Sequence, residues 1–382
     1  MAARFSCQNG SLGWPDGLVF INIQFNSTAK TLIHGLALLL ALTCPSLPAQ
    51  PVPDTKPVLR LRILGGLAGL NQYTRLEQPF WSRELAQLSH GKYSADITPF
   101  DKAGVPGGDM LRLLKLGVVP FGTTLVSSMA QQHPQFTAMD LAGLNPDMAS
   151  LKKNVAAFRP YLENELRSHH NIQMLALYTY PAQVLFCKQP FSRLTDLKGR
   201  RIRASSTTQS DFIRAIGALP VMTGFAQIMD NIASGNIDCA ITGTMSGNTL
   251  GLHEASRHIS SMPITWGLAV FAANINAWAA LPPDLRALIS RELPRLETKV
   301  WTESEQETAE GLDCNTGAAA CSTGRKGHMV LVRPDAVDEK LRQDILRASV
   351  LPRWQQRCGD ICTDIWNQTI GQSSGIATAV AR

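Results

Sequence analysis

Arg203 is the residue of this 382-residue chain whose surroundings most favour the binding of an anion. It stands near the end of a short alternating stretch, Arg201–Ala204, and residues 205–208 are Ser-Ser-Thr-Thr. A guanidinium group can pair with an anion through two parallel N–H bonds. The pattern therefore predicts an anion-binding arginine at a strand end; a solvated surface charge is the alternative for an arginine considered alone.

The chain around Arg203 alternates between predicted strands and helices. Arg201–Ala204, Leu219–Met222 and Ile237–Thr242 read as strands, and apolar residues repeat at helical spacing between them. This β-α-β-α-β order is typical of a parallel sheet covered by helices. Such sheets bind ligands beyond the carboxyl ends of their strands. Arg203 and Thr242 lie near such ends, which places both at the expected ligand-binding edge.

Three runs in this region resemble a known family. They are D-L-K-G-R-R-I-R at 196–203, A-I-G-A-L-P-V at 215–221 and G-N-I-D at 235–238. The chain is similar here to the solute-binding proteins of TRAP transporters, the DctP-like family. The similarity is most specific over 191–244 and looser over 57–312. It implies an α/β, two-lobed periplasmic-binding-protein fold, in which each lobe is a mainly parallel sheet flanked by helices and a long helix bridges the lobes.

The resemblance also implies roles for individual residues. An arginine at the position of Arg203 grips the carboxylate of an organic acid, and Phe225 stands at the family's aromatic site position. The family often carries a second arginine about twenty residues earlier, where this chain has Gln183. The chain departs from the pattern there, although Gln183 could still hydrogen-bond a ligand hydroxyl, amide or carboxylate.

Four further side chains are predicted to contact the ligand. Ser206 and Thr242 could donate hydrogen bonds, Asn71 would contribute from the other lobe, and Trp266 would line the cleft. Three of them have a structural alternative: a helix cap for Ser206, a polar strand residue for Thr242 and a loop residue for Asn71. The same holds for Phe225, which could instead be helix core.

The predicted boundaries follow the chain order. Residues 1–50 are a leader: an apolar stretch, Leu32–Thr43, follows Lys30, and cleavage after Ala49 would match a secretory signal. A lipid attached at Cys44 and an uncleaved anchor are the alternatives. Lobe I is expected to comprise residues 57–180 and 267–305, and lobe II residues 181–266 and 306–382. The acidic run at 303–310 is expected to be solvated.

Composition narrows the class of partner. The formal net charge is +6, spread along the chain without a block of Lys and Arg, so nucleic acid is not an expected partner. The sequence contains no G-x-G-x-x-G motif, and we expect neither a cofactor nor a metal. It also lacks H-E-x-x-H. For a hydrolase the candidate residues are His253 and His258, which stand near Ser256 and Ser260.

Six of the eight cysteines follow the leader. Export to an oxidising compartment permits disulfides, and the short separations favour two local bridges, Cys314–Cys321 and Cys358–Cys362. A zinc site built from these four thiolates is the alternative. Cys187 and Cys239 stand in apolar strand-like stretches, where we expect small buried hydrophobic residues.

Taken together, the sequence predicts a periplasmic receptor that is not an enzyme. It would capture a small organic acid between two lobes and present it to the membrane permease subunits of a TRAP transporter. A sensor subunit that binds the same ligand but signals to a membrane receptor is the alternative.

Overall fold

A computed structural model describes residues 59–377. The predicted leader at 1–50 lies outside the described residues. The strands are β1 Leu59–Gly65, β2 Tyr93–Pro99, β3 Phe121–Leu125, β4 Ile172–Thr179, β5 Gln183–Cys187, β6 Arg201–Ala204, β7 Leu219–Met222, β8 Cys239–Gly243, β9 His258–Ser260, β10 Leu268–Asn274 and β11 Val330–Val332.

The α-helices are α1 Leu85–Leu88, α2 Met110–Leu116, α3 Val126–Met129, α4 Met148–His170, α5 Thr207–Ala215, α6 Ile228–Ala233, α7 Thr244–Leu250, α8 Leu252–Ala255, α9 Ile275–Ala279, α10 Pro283–Thr316, α11 Ala336–Ile345, α12 Leu351–Cys358, α13 Asp360–Gln368 and α14 Ile370–Ser374. Short 3-10 segments occupy Gly107–Asp109, Pro134–Asp140, Leu194–Leu197 and Phe225–Gln227. Wider π-helical turns occupy Gln72–Glu77, Phe80–Glu84 and Leu346–Val350. No helix among residues 59–377 combines the length and the apolar character needed to span a bilayer.

The strands form two sheets, which confirms the predicted α/β, two-lobed class. The first has the order β2-β1-β3-β10-β4 and the second the order β11-β9-β5-β8-β6-β7. In each sheet every strand has the same direction except one, β10 in the first and β5 in the second. The predicted β-α-β-α-β segment is present as β6-α5-β7-α6-β8, with β6 between its two partners.

Each of these two strands, β5 and β10, is the first strand that the chain forms after it crosses from one sheet to the other. β4 of the first sheet continues directly into β5 of the second, and β9 of the second continues into β10 of the first. The two crossing segments pair with each other through an antiparallel bridge between Gln183 and Thr265. Two of the proposed lobe boundaries, 180/181 and 266/267, lie in these crossing segments, and the third, 305/306, lies within helix α10.

Helix α10 is the long helix that the family resemblance implied. Pro282 and Pro283 begin it, where a missing backbone N–H costs nothing. It packs along β4 and along α7, so it contacts elements of both lobes. The expectation that residues 303–310 are solvated is wrong at Glu307, which is 2% exposed. Its carboxylate accepts hydrogen bonds from the side chains of Asn71 and Gln72, which compensate for the loss of water.

The C-terminal helices contact both lobes. The indole of Trp354 donates to the carbonyl of Pro134 (2.7 Å), and Ser373 donates to the side chain of Asn154 (2.6 Å). On the other side Arg357 pairs with Asp211 of α5 (2.5 Å). Residues 336–377 therefore connect segments that pack around the two sheets and do not extend either sheet.

Three disulfides are present among the described cysteines. Two are the predicted local bridges, Cys314–Cys321 and Cys358–Cys362. The third joins Cys187 to Cys239, so the expectation that these residues are unpaired hydrophobic side chains is wrong. They are buried as expected, but they face each other in the register of β5 and β8, which brings their Cα atoms to 4.1 Å.

We expect all three bridges in protein isolated from an oxidising compartment. Peptide mapping without reductant should release Cys187 and Cys239 on one linked peptide, because direct cross-strand neighbours are held within bonding distance by the ladder itself. Alkylation of both residues in folded, unreduced protein would contradict the cross-strand bridge.

Candidate functional site

A cavity with polar groups inside it lies between the two sheets and has a volume of about 540 Å³. Its walls come from carboxyl ends of strands in both lobes: the residues after β2 on one side and the ends of β6, β7 and β8 on the other. The crossing segments contribute Tyr180, Gln183 and Gly267 between these walls. A cavity with walls from two sheets and a floor at their connections can change size if the sheets move relative to each other.

Arg203 lies in β6, between β7 and β8, and is only 4% exposed. Its Nε donates to the carbonyl of Thr223 (3.0 Å) and its Nη1 donates to that of Ile241 (2.7 Å). No carboxylate among residues 59–377 forms an ion pair with it. Burial lowers its pKa to about 10, so the guanidinium is still charged at neutral pH. Two carbonyls orient this group, but its positive charge is not neutralised.

Gln183 is held so that its amide nitrogen is the group left for a ligand. Its Oε1 accepts hydrogen bonds from Gln209 (2.6 Å), Ser205 (3.2 Å) and Thr265 (3.3 Å). Gly267 has a φ of +83°, and a Cβ atom there would lie 2.5 Å from the Gln183 Nε2. Glycine at this position therefore permits the left-handed backbone conformation and also leaves room for the side-chain amide of Gln183.

Thr242 and Phe225 line the same cavity as Arg203 and Gln183. Thr242 lies in β8 and is 3% exposed. Phe225 is half-buried at the start of its short helix. Its ring lies near Gly69 of the other lobe, where an added Cβ atom would be 3.6 Å from a ring carbon of Phe225. Four of the seven predicted ligand residues thus converge on one space.

The other three predicted residues do not line this cavity. The Asn71 amide donates to Glu307 of α10. Ser206 caps α5 by accepting from the backbone N–H of Gln209 (3.1 Å), and it borders a separate small cavity. Trp266 is 3% exposed, and its indole donates to the carbonyl of Asn145 (3.1 Å). Each of these polar groups already has a partner within the protein.

Asp101 and Tyr180 are among the cavity residues that were not predicted to contact the ligand. Asp101 follows the end of β2 by two residues, and this position after a strand was the signal that could have identified it. Burial, followed by the charges of Glu77 and Asp101, raises the pKa of the Tyr180 hydroxyl. Tyr180 therefore remains protonated and can donate a hydrogen bond.

A buried carboxyl group, Glu77, lies behind the cavity wall. It is 2% exposed and accepts from the backbone N–H of Gly66 (2.7 Å) and from the hydroxyl of Thr123 (2.5 Å). Burial raises its pKa to about 7, against the lowering effect of these hydrogen bonds. Asp140 resembles it: burial raises its pKa to about 7 although it accepts from the backbone N–H groups of Trp266 and Gly267.

These raised pKa values predict that stability falls as pH rises. Between the ordinary carboxyl pKa and about 7, the folded state binds more protons than the unfolded state at Glu77, so the unfolding free energy decreases with pH. Glu77→Gln keeps an acceptor for Gly66 and removes this titration. Denaturant unfolding measures the free energy of unfolding at pH 5 and at pH 8. Between these two pH values it should decrease more for the wild type than for Glu77→Gln. Equal losses in the two proteins would contradict the assignment.

The residues on which a hydrolase would depend do not form a catalytic pair. Ser260 accepts from the backbone N–H of Met262 (3.1 Å). The hydroxyl of Ser256 and the Nδ1 atoms of His253 and His258 are buried without a hydrogen-bond partner among residues 59–377. A nucleophile requires a base within hydrogen-bonding reach, and no serine–histidine bond meets that requirement here.

Comparison with known proteins places this geometry in context. Residues 68–315 match the family model DctP, described as bacterial extracellular solute-binding protein, family 7. Among curated proteins, the Outer membrane transporter protein TsaT of Comamonas testosteroni is 24% identical over 259 residues, which are 62% of this chain and 74% of that protein.

Solved structures show the same fold. DctP7, a Bordetella pertussis extracytoplasmic solute receptor binding pyroglutamic acid, aligns with a TM-score of 0.72 at 20% identity and covers 81% of this chain and 98% of its own. A TRAP periplasmic solute-binding protein from Desulfovibrio salexigens with bound orotic acid aligns with a TM-score of 0.71 at 14% identity, covering 83% and 98%.

Proposed function

Because this chain belongs to the bacterial extracellular solute-binding protein family 7, we propose that it is a periplasmic receptor for a small organic acid. It captures the carboxylate in the cavity between its lobes and delivers it to the membrane permease subunits of a TRAP-type transporter. The family description names a solute-binding protein and no enzyme, in keeping with this assignment.

The observation that carries the proposal is the buried, unneutralised charge of Arg203. Removing a cation from water costs several kcal/mol unless a partner compensates, and the two carbonyls that Arg203 contacts supply only part of that compensation. A ligand carboxylate would complete it. Gln183 Nε2 and the hydroxyls of Thr242 and Tyr180 are neutral donors that can bind further ligand oxygens.

The bound molecules of two similar structures support an acid as the ligand. Pyroglutamic acid binds to the Bordetella pertussis receptor and orotic acid to the Desulfovibrio salexigens protein, and both molecules carry one carboxyl group. Pyroglutamic acid and orotic acid are therefore the first compounds to test as ligands of this chain.

The test is to identify and measure the ligand. Protein exported to the periplasm and purified without denaturation should release a small carboxylic acid on unfolding, which mass spectrometry can identify. Calorimetry should then detect binding of that acid but not of its amide. If the protein binds the neutral amide as tightly as the acid, it is not a carboxylate receptor.

Ligand binding is expected to close the two lobes. The crossing segments near Tyr180 and Thr265 and helix α10 are the connections about which they can move. A ligand stabilises the closed form only through contacts that exist in that form, and a ligand held by Arg203 and by the first lobe at once makes such contacts. Small-angle scattering should show a smaller radius of gyration with saturating acid. An unchanged radius, with binding verified in parallel, would indicate a rigid pocket.

A further inference from the structure

The cavity contains one acidic and one basic side chain among its described lining residues, Asp101 and Arg203. They stand on opposite walls: Asp101 follows β2 of the first sheet, and Arg203 lies in β6 of the second. They do not form an ion pair with each other or with another residue of 59–377. A cavity built for a simple monocarboxylate has no need of an acid, because a second negative charge repels the ligand.

Asp101 is oriented with one carboxylate oxygen available to a ligand. Its Oδ1 accepts from the backbone N–H of Ala68 in the loop after β1 (3.1 Å), which holds the side chain at the cavity edge. No described residue donates to its Oδ2. Asp101 shares the cavity with Tyr180, whose pKa is raised by burial and by the charges of Glu77 and Asp101.

We propose that Asp101 is a specificity-determining residue that accepts a hydrogen bond from an N–H group of the ligand. This inference rests on the proposed function and specifies its substrate class: a monocarboxylate that also carries an N–H donor, as in a cyclic amide acid or an amino acid. The carboxylate binds Arg203 and the N–H group binds Asp101, so one molecule joins the two lobes. Dicarboxylates without a donor are excluded, because their second charge meets Asp101.

Matched ligand pairs test the proposal. Pyroglutamate and 5-oxotetrahydrofuran-2-carboxylate differ only in the replacement of the ring N–H by oxygen. L-Proline and tetrahydrofuran-2-carboxylate make the same comparison for an ammonium group, and succinate represents a dicarboxylate. Calorimetry on the full chain should show that an N–H acid binds at least about 10-fold more tightly than its oxygen analogue and than succinate, since a desolvated acceptor is left unpaired otherwise.

The variant Asp101→Asn provides the second arm. Asparagine keeps an oxygen for the Ala68 N–H and presents an NH₂ group in place of the free carboxylate oxygen. The preference for the N–H member of the pair should therefore fall to about 1-fold or reverse. Asp96→Asn removes the same charge from an exposed position, where Asp96 pairs with Arg60, and should leave the preference unchanged.

The outcomes separate this inference from the proposed function. If the oxygen analogues or succinate bind as tightly as the N–H acids, and Arg203→Ala still weakens binding by about 30-fold or more, the role of Asp101 is overturned and the carboxylate receptor stands. If Arg203→Ala binds every acid as tightly as the wild type does, the proposed function itself fails.

Discussion

Arg203→Ala is expected to weaken binding of the ligand acid by about 2–5 kcal/mol, a loss of roughly 30-fold to several-thousand-fold in affinity. The guanidinium is 4% exposed and has two carbonyl contacts, so its position relative to a ligand is set before binding. Without it, a carboxylate that enters the cavity loses its water and gains no cation. Calorimetry with the released ligand or with pyroglutamate measures the difference.

Two further variants test whether the loss of affinity is specific to the guanidinium group of Arg203. Arg203→Lys keeps the charge, but one ammonium group cannot donate to both backbone carbonyls and also bind a carboxylate through two parallel bonds, so binding should remain at least about 10-fold weaker. Arg201→Ala removes an arginine two residues earlier in the same strand, where the side chain is 45% exposed and pairs with Asp238. It should bind the acid like the wild type. Unchanged affinity in Arg203→Ala would remove this residue from the site.

Gly311→Ala is expected to be the most damaging small substitution in helix α10. It should lower the free energy of unfolding by about 3 kcal/mol, which is in the upper part of the usual range for an inserted methyl group. A Cβ atom at this position would lie 2.6 Å from the hydroxyl oxygen of Thr244 and would overlap the backbone nitrogen of Met245. The backbone nitrogen of Met245 belongs to the start of α7 and cannot rotate away as a side chain could. The small gain in helix propensity from alanine, about 1 kcal/mol, does not offset the overlap.

The close approach at Gly311 also connects the bridging helix to the binding site. Thr244 donates from its hydroxyl to the carbonyl of Glu307 (3.0 Å), and Asn315 donates to the carbonyl of Thr244 (2.9 Å). Thr244 directly follows β8, which carries Thr242. Gly108→Ala is the matched control, since a Cβ atom there has no neighbour within 4 Å. Denaturant unfolding of the two variants should separate them clearly; equal stability would contradict the tight contact.

The sequence by itself determined the local architecture around Arg203. The β6-α5-β7-α6-β8 order was predictable because each strand and helix carries its own periodicity, and because parallel strands joined by helices have one favoured arrangement. The motifs that carry the family resemblance lie in this same segment, and the family match over 68–315 confirms it. The local disulfides were also predictable, because few residues separate their cysteines.

Contacts between distant segments were decided only by the tertiary structure. Cys187 and Cys239 read as separate apolar positions, and the register between β5 and β8 made them partners across 52 residues. Glu307 read as a solvated charge until the fold placed Asn71 and Gln72 against it. The same contact uses the Asn71 amide that the sequence had suggested for the ligand.

The composition of the cavity shows the same limit. The sequence predicted Arg203 and Thr242 from their places near strand ends, and Gln183 and Phe225 from the family resemblance, and all four line the cavity. It did not name Asp101, because its position after a strand does not by itself show whether the side chain faces a cavity. Whether such a residue faces a ligand depends on the order of strands in one sheet and on the approach of the second sheet. Both follow from long-range packing, in which the hydrophobic burial of residues far apart in the chain outweighs local preference.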